Sequence, residues 1–65
     1  MGPYKIKFWH YGNIVREWDC GLLAPLVPRR GDRILGEEKT WVVSQISYEY
    51  FMPSGVDIHV YIEEA

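Results

Sequence analysis

One segment near the C-terminal end most constrains the fold of this chain. Four β-branched residues, Val56, Ile58, Val60 and Ile62, alternate there with polar or aromatic side chains. An apolar period of two residues is typical of a strand with one buried face. The 65 residues contain twelve Ile and Val against four Leu and two Ala, a balance that favours strands over helices. We therefore predict an all-β fold.

A hairpin is predicted at the other end of the chain. Tyr4–Tyr11 alternates as a strand, Gly12-Asn13 offers two residues that tolerate positive φ, and Ile14–Asp19 returns antiparallel. This register pairs Tyr11 with Ile14, Trp9 with Arg16, Lys7 with Trp18, and Phe8 with Glu17. It leaves open which face of the hairpin is the core, because a slip of one residue would exchange the two faces.

The middle of the chain is divided by proline and glycine. Cys20–Pro28 is apolar but interrupted, so we expect it to bend across the core. Arg29–Asp32 is predicted to be a turn and Arg33–Leu35 a short strand. Residues 36–39 form the polar tip of a second hairpin.

A long strand is predicted at Thr40–Phe51, with a turn at Met52–Gly55 after it. The apolar parity of this strand changes at Ser44-Gln45, which indicates a β-bulge where the strand bends. The result is a single domain spanning 1–65, all-β, with four or five antiparallel strands. A small SH3-like barrel and a bent meander both satisfy this pattern.

A family resemblance rests on two stretches. Val27–Ile34 reads Val-Pro-Arg-Arg-Gly-Asp-Arg-Ile, and Trp41-Val42-Val43 and then Ile-Ser-Tyr-Glu-Tyr at 46–50 follow it. In these stretches the chain resembles short uncharacterised proteins of bacteriophages and prophages that contain a Pro-x-x-Gly-Asp-x-Ile hairpin. The resemblance implies a small β-barrel encoded by a phage or mobile element, acting as an accessory or host-takeover protein. It assigns no functional residue.

Charge and cysteine content narrow the function classes. A net charge of −2 and a pI near 5.5 argue against a general polyanion binder. The single cysteine, Cys20, excludes an intramolecular disulfide and is expected to be a small buried apolar group in a reducing compartment. No apolar run reaches the roughly 18 residues that span a membrane, so we expect a cytoplasmic protein without membrane contacts.

Catalytic chemistry has little support in the sequence. His10 and His59 are the two histidines, and their positions predict surface residues without a nucleophile nearby. Phosphate loops, metal-ligand spacings and nucleophile motifs are absent from the sequence. We therefore expect a protein that is not an enzyme and needs no cofactor or metal.

The aromatic content points to binding. Ten large rings are more than the interior of a barrel this small can hold, so some must lie on its surface. Exposed Trp, Tyr and Arg are typical anchors of protein interfaces. We predict contacts with a protein partner, as an inhibitor or adaptor, and self-association through the strand 56–62 as an accessible edge. The predicted interface residues are Trp9, Tyr11, Arg16, Trp18 and Tyr61.

A second class of function remains open. Basic residues near exposed rings could bind nucleic acid or a nucleotide. The residues for this alternative are Lys5, Lys7, Arg29, Arg30 and Arg33. The acidic balance of the chain favours the protein partner.

Overall fold

Strands make up the whole regular structure of the described part of the chain. The computed structural model describes residues 3–22, 26–51 and 54–65 and contains no helix in these ranges. The strands are β1 (Tyr4–His10), β2 (Asn13–Gly21), β3 (Arg33–Leu35), β4 (Thr40–Phe51) and β5 (Gly55–Glu64). The predicted all-β class is confirmed.

The five strands form one sheet in the order β2-β1-β5-β4-β3, which curls into a half-barrel. Three pairings are antiparallel, as expected, and β1 pairs with β5 in parallel, so the sheet is mixed. The prediction that strand 56–62 is an accessible edge is wrong, because β5 lies at the centre. Its alternation reveals which face is buried but not which strands flank it.

The core lies on the concave face of the half-barrel. Register places Ile6 opposite Ile58, and Val60 beside Phe8 and Ile46. The buried residues of the described chain are all apolar: Ile6, Phe8, Val43, Ile58, Val60 and Ile62. The alternate residues of each strand lie on the opposite, convex face. The alternation at 56–62 therefore predicted the buried face of β5 correctly.

The turn of the first hairpin lies one residue earlier than predicted. Tyr11 and Gly12 both have positive φ, 49° and 79°, and His10 pairs with Asn13. Two positive φ values are what a two-residue hairpin turn needs to match the strand twist. The sequence favours Gly12-Asn13 for the two positive φ values, because a tyrosine seldom adopts this conformation.

The shifted turn and a bulge in β2 together change all four of the predicted pairs. The predicted pairs of Trp9 with Arg16 and of Lys7 with Trp18 are wrong. Phe8 pairs with Arg16 and Ile6 with Trp18, with a bulge at Val15. Because the bulge reverses the alternation of β2 beyond it, Arg16 and Trp18 lie on the concave face, whereas Trp9 lies on the convex face.

The segment between β2 and β3 reaches the far edge of the sheet. Cys20 and Val27 pack against the core, and residues 23–25 of the predicted crossing lie outside the described ranges. The turn predicted at Arg29–Asp32 is confirmed. The Arg29 N–H donates to Asp32 Oδ2 at 2.8 Å, and the Asp32 N–H donates to the Arg29 carbonyl at 3.0 Å.

The bulge predicted in β4 is also confirmed. Val43 pairs with Ile62 and Gln45 with Tyr61, so that Ser44 is the extra residue. Its hydroxyl donates to the Tyr61 carbonyl at 3.0 Å. The bulge keeps apolar residues on the concave face along the whole strand. Of the turn predicted after β4, residues 52 and 53 lie outside the described ranges.

Candidate functional site

An open groove lies on the concave face between the two edges of the half-barrel. Its volume is about 430 Å³. The edge strand β2 forms one side of it with Val15, Arg16 and Trp18, and the tip of the β3–β4 hairpin, residues 34–39, forms the other. The strands between supply apolar side chains to its floor: Phe8, Trp41 and Ile62.

Trp18 is the largest half-exposed group in this groove. Its ring meets Phe8 edge to face, with centroids 5.8 Å apart and planes at 77°, and 52% of its surface remains exposed. Arg16 lies two residues away on the same face, with its guanidinium 5.7 Å from the Trp18 centroid. The ring is thus supported from below by the core while a large part of it stays open to a partner.

The opposite side of the groove ends in a closed hairpin tip. The Gly36 N–H donates to the Lys39 carbonyl at 2.9 Å. The Lys39 ammonium lies 2.5 Å from Glu64 Oε1 and 5.8 Å from the Trp41 ring centroid. The hydrogen bond from Lys39 lowers the pKa of the Glu64 carboxyl below its usual value. With Glu37 at the same tip, the rim of the groove carries both signs of charge.

His10 is not the surface residue that the sequence predicted. It lies on the concave parity of β1, where its ring meets Trp41 at 4.8 Å and its Nδ1 lies 3.1 Å from the Ile62 carbonyl oxygen. Tyr11 at the turn is 86% exposed, with its ring 4.2 Å from that of His10. His10 therefore supports the floor of the groove beneath Trp41.

His59 is also largely covered, on the convex face. The Trp9 indole Nε1–H donates to His59 Nδ1 at 3.0 Å, and His59 Nε2 lies 3.0 Å from Glu49 Oε1. An indole nitrogen can only donate, so Nδ1 accepts and the imidazole proton sits on Nε2, from which it is donated to Glu49. The predicted surface position of His59 is therefore wrong. Its ring belongs to a hydrogen-bonded network that joins β1, β5 and β4.

The same network contains three groups of the kinds that bind metal ions. Ligand atoms of Glu49, Asp57 and His59 lie within 4.8 Å of one another. A metal on His59 Nε2 would require a proton on Nδ1, where Trp9 already presents its N–H. Lys7 lies 3.1 Å from Asp57 Oδ2 and already supplies a cation. These residues therefore fit a closed polar network better than a metal centre.

Lys7 gives this network a measurable pH dependence. Its hydrogen bond to Asp57 raises the pKa of the ammonium above its usual 10.5. We expect Lys7→Met to lower the free energy of unfolding by about 1 kcal/mol, because the pair is mostly covered. A group with a raised folded pKa stabilises below its unfolded pKa, so the loss should be constant from about pH 6 to pH 10 and disappear at higher pH.

Urea unfolding of the wild type and the variant across this pH range measures the difference. Lys39→Met is the matched control, because its ion pair with Glu64 is more than half exposed and should contribute little. A difference for Lys7→Met that persists unchanged above pH 11 would contradict the assigned ion pair.

The predicted interface residues separate into two groups. Trp9 and Tyr61 stack on the convex face, with centroids 6.2 Å apart and planes at 25°. Arg16 and Trp18 lie in the groove on the concave face, and Tyr11 lies at the hairpin turn beside it. Trp41 and the β3–β4 tip also line the groove, and no local pattern in the sequence marks them as part of it. Only the pairing of distant strands brings them opposite Trp18.

The predicted anion-binding residues also lie apart. Lys5 and Lys7 are on the convex face of β1, and Arg33 is on β3 with Arg29 and Arg30 in the turn before it. Two strands lie between β1 and β3, a separation of about 14 Å along the sheet. Lys7 is moreover paired with Asp57. The described geometry does not bring these five residues into one patch.

Comparison with protein-family models, curated proteins and solved structures finds no match to this chain. None of the described segments forms a helix that could cross a membrane.

Proposed function

We propose that this protein is a non-enzymatic binding module that takes an extended segment of a partner protein into the groove between β2 and β3. The observation that carries the proposal is the placement of Trp18, half exposed and supported by Phe8, in an open apolar groove. A large ring held rigidly on a core is the usual anchor of a protein interface. The inhibitor or adaptor role implied by the phage resemblance belongs to the same proposal.

The two sides of the groove support an extended occupant. Both β2 and β3 are terminal strands of the sheet, with neighbours on one side only among the described residues. Their outer backbone groups can pair with an added strand, which is a common mode of peptide recognition. Such a strand would bridge the gap of the half-barrel. The rim of the groove carries charges of both signs, on Arg16, Lys39 and Glu37. Such a rim complements a polypeptide that also carries both signs better than it complements a polyanion.

A displayed library of random unstructured peptides, selected on the immobilised protein, tests this proposal. Enriched peptides, measured by fluorescence polarisation, should bind Trp18→Ala about 30-fold more weakly than the wild type, as expected for the loss of a central anchor. Trp9→Ala is the matched control, since it removes the same side chain from the convex face. It should leave the affinity unchanged.

Three results would contradict the proposal. One is a selection that yields no binding peptide, and the second is a set of peptides whose affinity falls with Trp9→Ala but not with Trp18→Ala. The third is binding of single-stranded nucleic acid whose affinity drops steeply as salt rises, which would favour the alternative function. Circular dichroism of both variants confirms that each remains folded.

A further inference from the structure

Among the described residues, the second half of β4 has a paired strand on one side only. β3 pairs only with Thr40–Val42, and the last backbone bonds from that side join Gly31 and Asp32 to Val43. Beyond the bulge, Gln45–Phe51 pairs with β5 on one side. Within the described ranges, no strand pairs with its other side. Seven residues of backbone are therefore available for strand pairing.

This edge lacks the usual protection against pairing. Natural edge strands commonly carry charged residues or proline. In Gln45–Phe51 the one charged residue is Glu49, whose carboxylate meets His59. Three aromatic side chains are exposed instead: Tyr48 by 51%, Tyr50 by 65% and Phe51 by 43%. The other long edge, β2, carries Arg, Glu and Asp within Arg16–Asp19, charges that disfavour pairing with a second copy but can be matched by a partner of complementary charge.

The exposed surface area of the chain is larger than that of a compact monomer of its mass. The chain exposes 5012 Å², whereas a compact monomer of its mass, 7.7 kDa, exposes about 4,300 Å². The excess of about 700 Å² is close to the roughly 800 Å² that each partner contributes to a standard interface. One further surface of that size would give the chain the exposure of an ordinary compact domain.

We propose that a second copy of this chain pairs antiparallel with Gln45–Phe51 across a two-fold axis, joining two sheets into one of ten strands. The segment is self-complementary in this arrangement. With Tyr48 opposite its own copy, Ile46 faces Tyr50 on the concave side and Ser47 faces Glu49 on the convex side. Aromatic residues opposite β-branched ones are favourable cross-strand pairs. Like charges do not meet in this register.

The dimer leaves the groove open, because the groove is lined by the first part of β4 and not by Gln45–Phe51. Dimerisation and the proposed partner binding therefore use separate surfaces, and each can fail without the other. Self-association, which the sequence predicted through β5, would occur through β4.

Sedimentation velocity between about 1 and 200 µM tests the dimer. The wild type should sediment at twice 7.7 kDa at the upper concentrations. Tyr48→Lys places a charge at the centre of the paired edge and should weaken association at least about 30-fold. Tyr11→Lys is the matched control: it introduces the same charge in place of the same ring at the exposed hairpin turn, and should dimerise like the wild type.

Hydrogen exchange of the wild type provides a readout that needs no variant. Amides within Gln45–Phe51 should become more protected as the concentration rises, whereas those of β2 should not change. A wild type that stays at 7.7 kDa throughout would overturn the proposal. So would equal weakening by Tyr11→Lys, or concentration-dependent protection located in β2.

Discussion

The Ile58→Asp variant should fail to fold. Ile58 is 3% exposed at the centre of the middle strand, between Ile6 on β1 and Tyr48 on β4. The buried residues of the described chain are all apolar, so a carboxylate there would lie in a core that offers no charged partner. Its burial costs more than the roughly 3–5 kcal/mol that a core of this size supplies. Circular dichroism and tryptophan fluorescence should show an unfolded chain at 25 °C.

Gln45→Asp is the control for this variant. It introduces the same acid on a neighbouring strand, at an exposed position on the convex face. It should retain the strand spectrum and a cooperative thermal transition. If Ile58→Asp retained both as well, the assignment of the concave face as the core would be wrong.

The Gly55→Ala variant should lose about 3 kcal/mol of stability. Gly55 has φ of 155°, in a region almost confined to glycine, and opens β5. A Cβ there would lie 2.8 Å from Pro3 Cα and 2.9 Å from its carbonyl carbon. The Val56 N–H donates to the same Pro3 carbonyl at 2.7 Å, so the clash would separate the start of β1 from β5. Urea unfolding followed by tryptophan fluorescence measures the loss.

The Gly12→Ala variant separates the two causes of the expected loss at Gly55, which are the clash with Pro3 and the strained backbone conformation. Gly12 also has positive φ, 79°, but nothing lies within 4 Å of its would-be Cβ. Its loss should be about 1 kcal/mol, the cost of the left-handed conformation alone. Equal losses in the two variants would mean that the contact with Pro3 contributes nothing.

Local sequence patterns predicted much of the fold because they indicate which face of a strand is buried. The alternation at 56–62 predicted the buried face of β5, and the parity change at Ser44-Gln45 predicted the bulge in β4. Both signals arise from side chains that must point towards or away from a core within a few residues of one another. The turn at Arg29–Asp32 likewise depends on contacts between near neighbours.

Pairing between distant strands could not be predicted in this way. The parallel pairing of β1 with β5 joins residues about fifty positions apart, and no local period encodes it. The hairpin turn was misplaced because Tyr11 adopts a conformation that its residue type seldom takes. The bulge at Val15 was not predicted either, and it moves Trp18 from the predicted convex face to the concave face. Half of the groove, including Trp41, follows only from the sheet order.

The central position of β5 has a consequence for how the chain acquires its structure. The strand that comes last along the sequence pairs with six residues of β1, Ile6 and Phe8 among them, and with ten residues of β4. The two hairpins made before it can close by local contacts, but neither has a core of its own. A nascent chain should therefore stay uncollapsed on the ribosome until β5 emerges. Folding should then occur in one slow, cooperative step, as is usual where most contacts are remote in sequence.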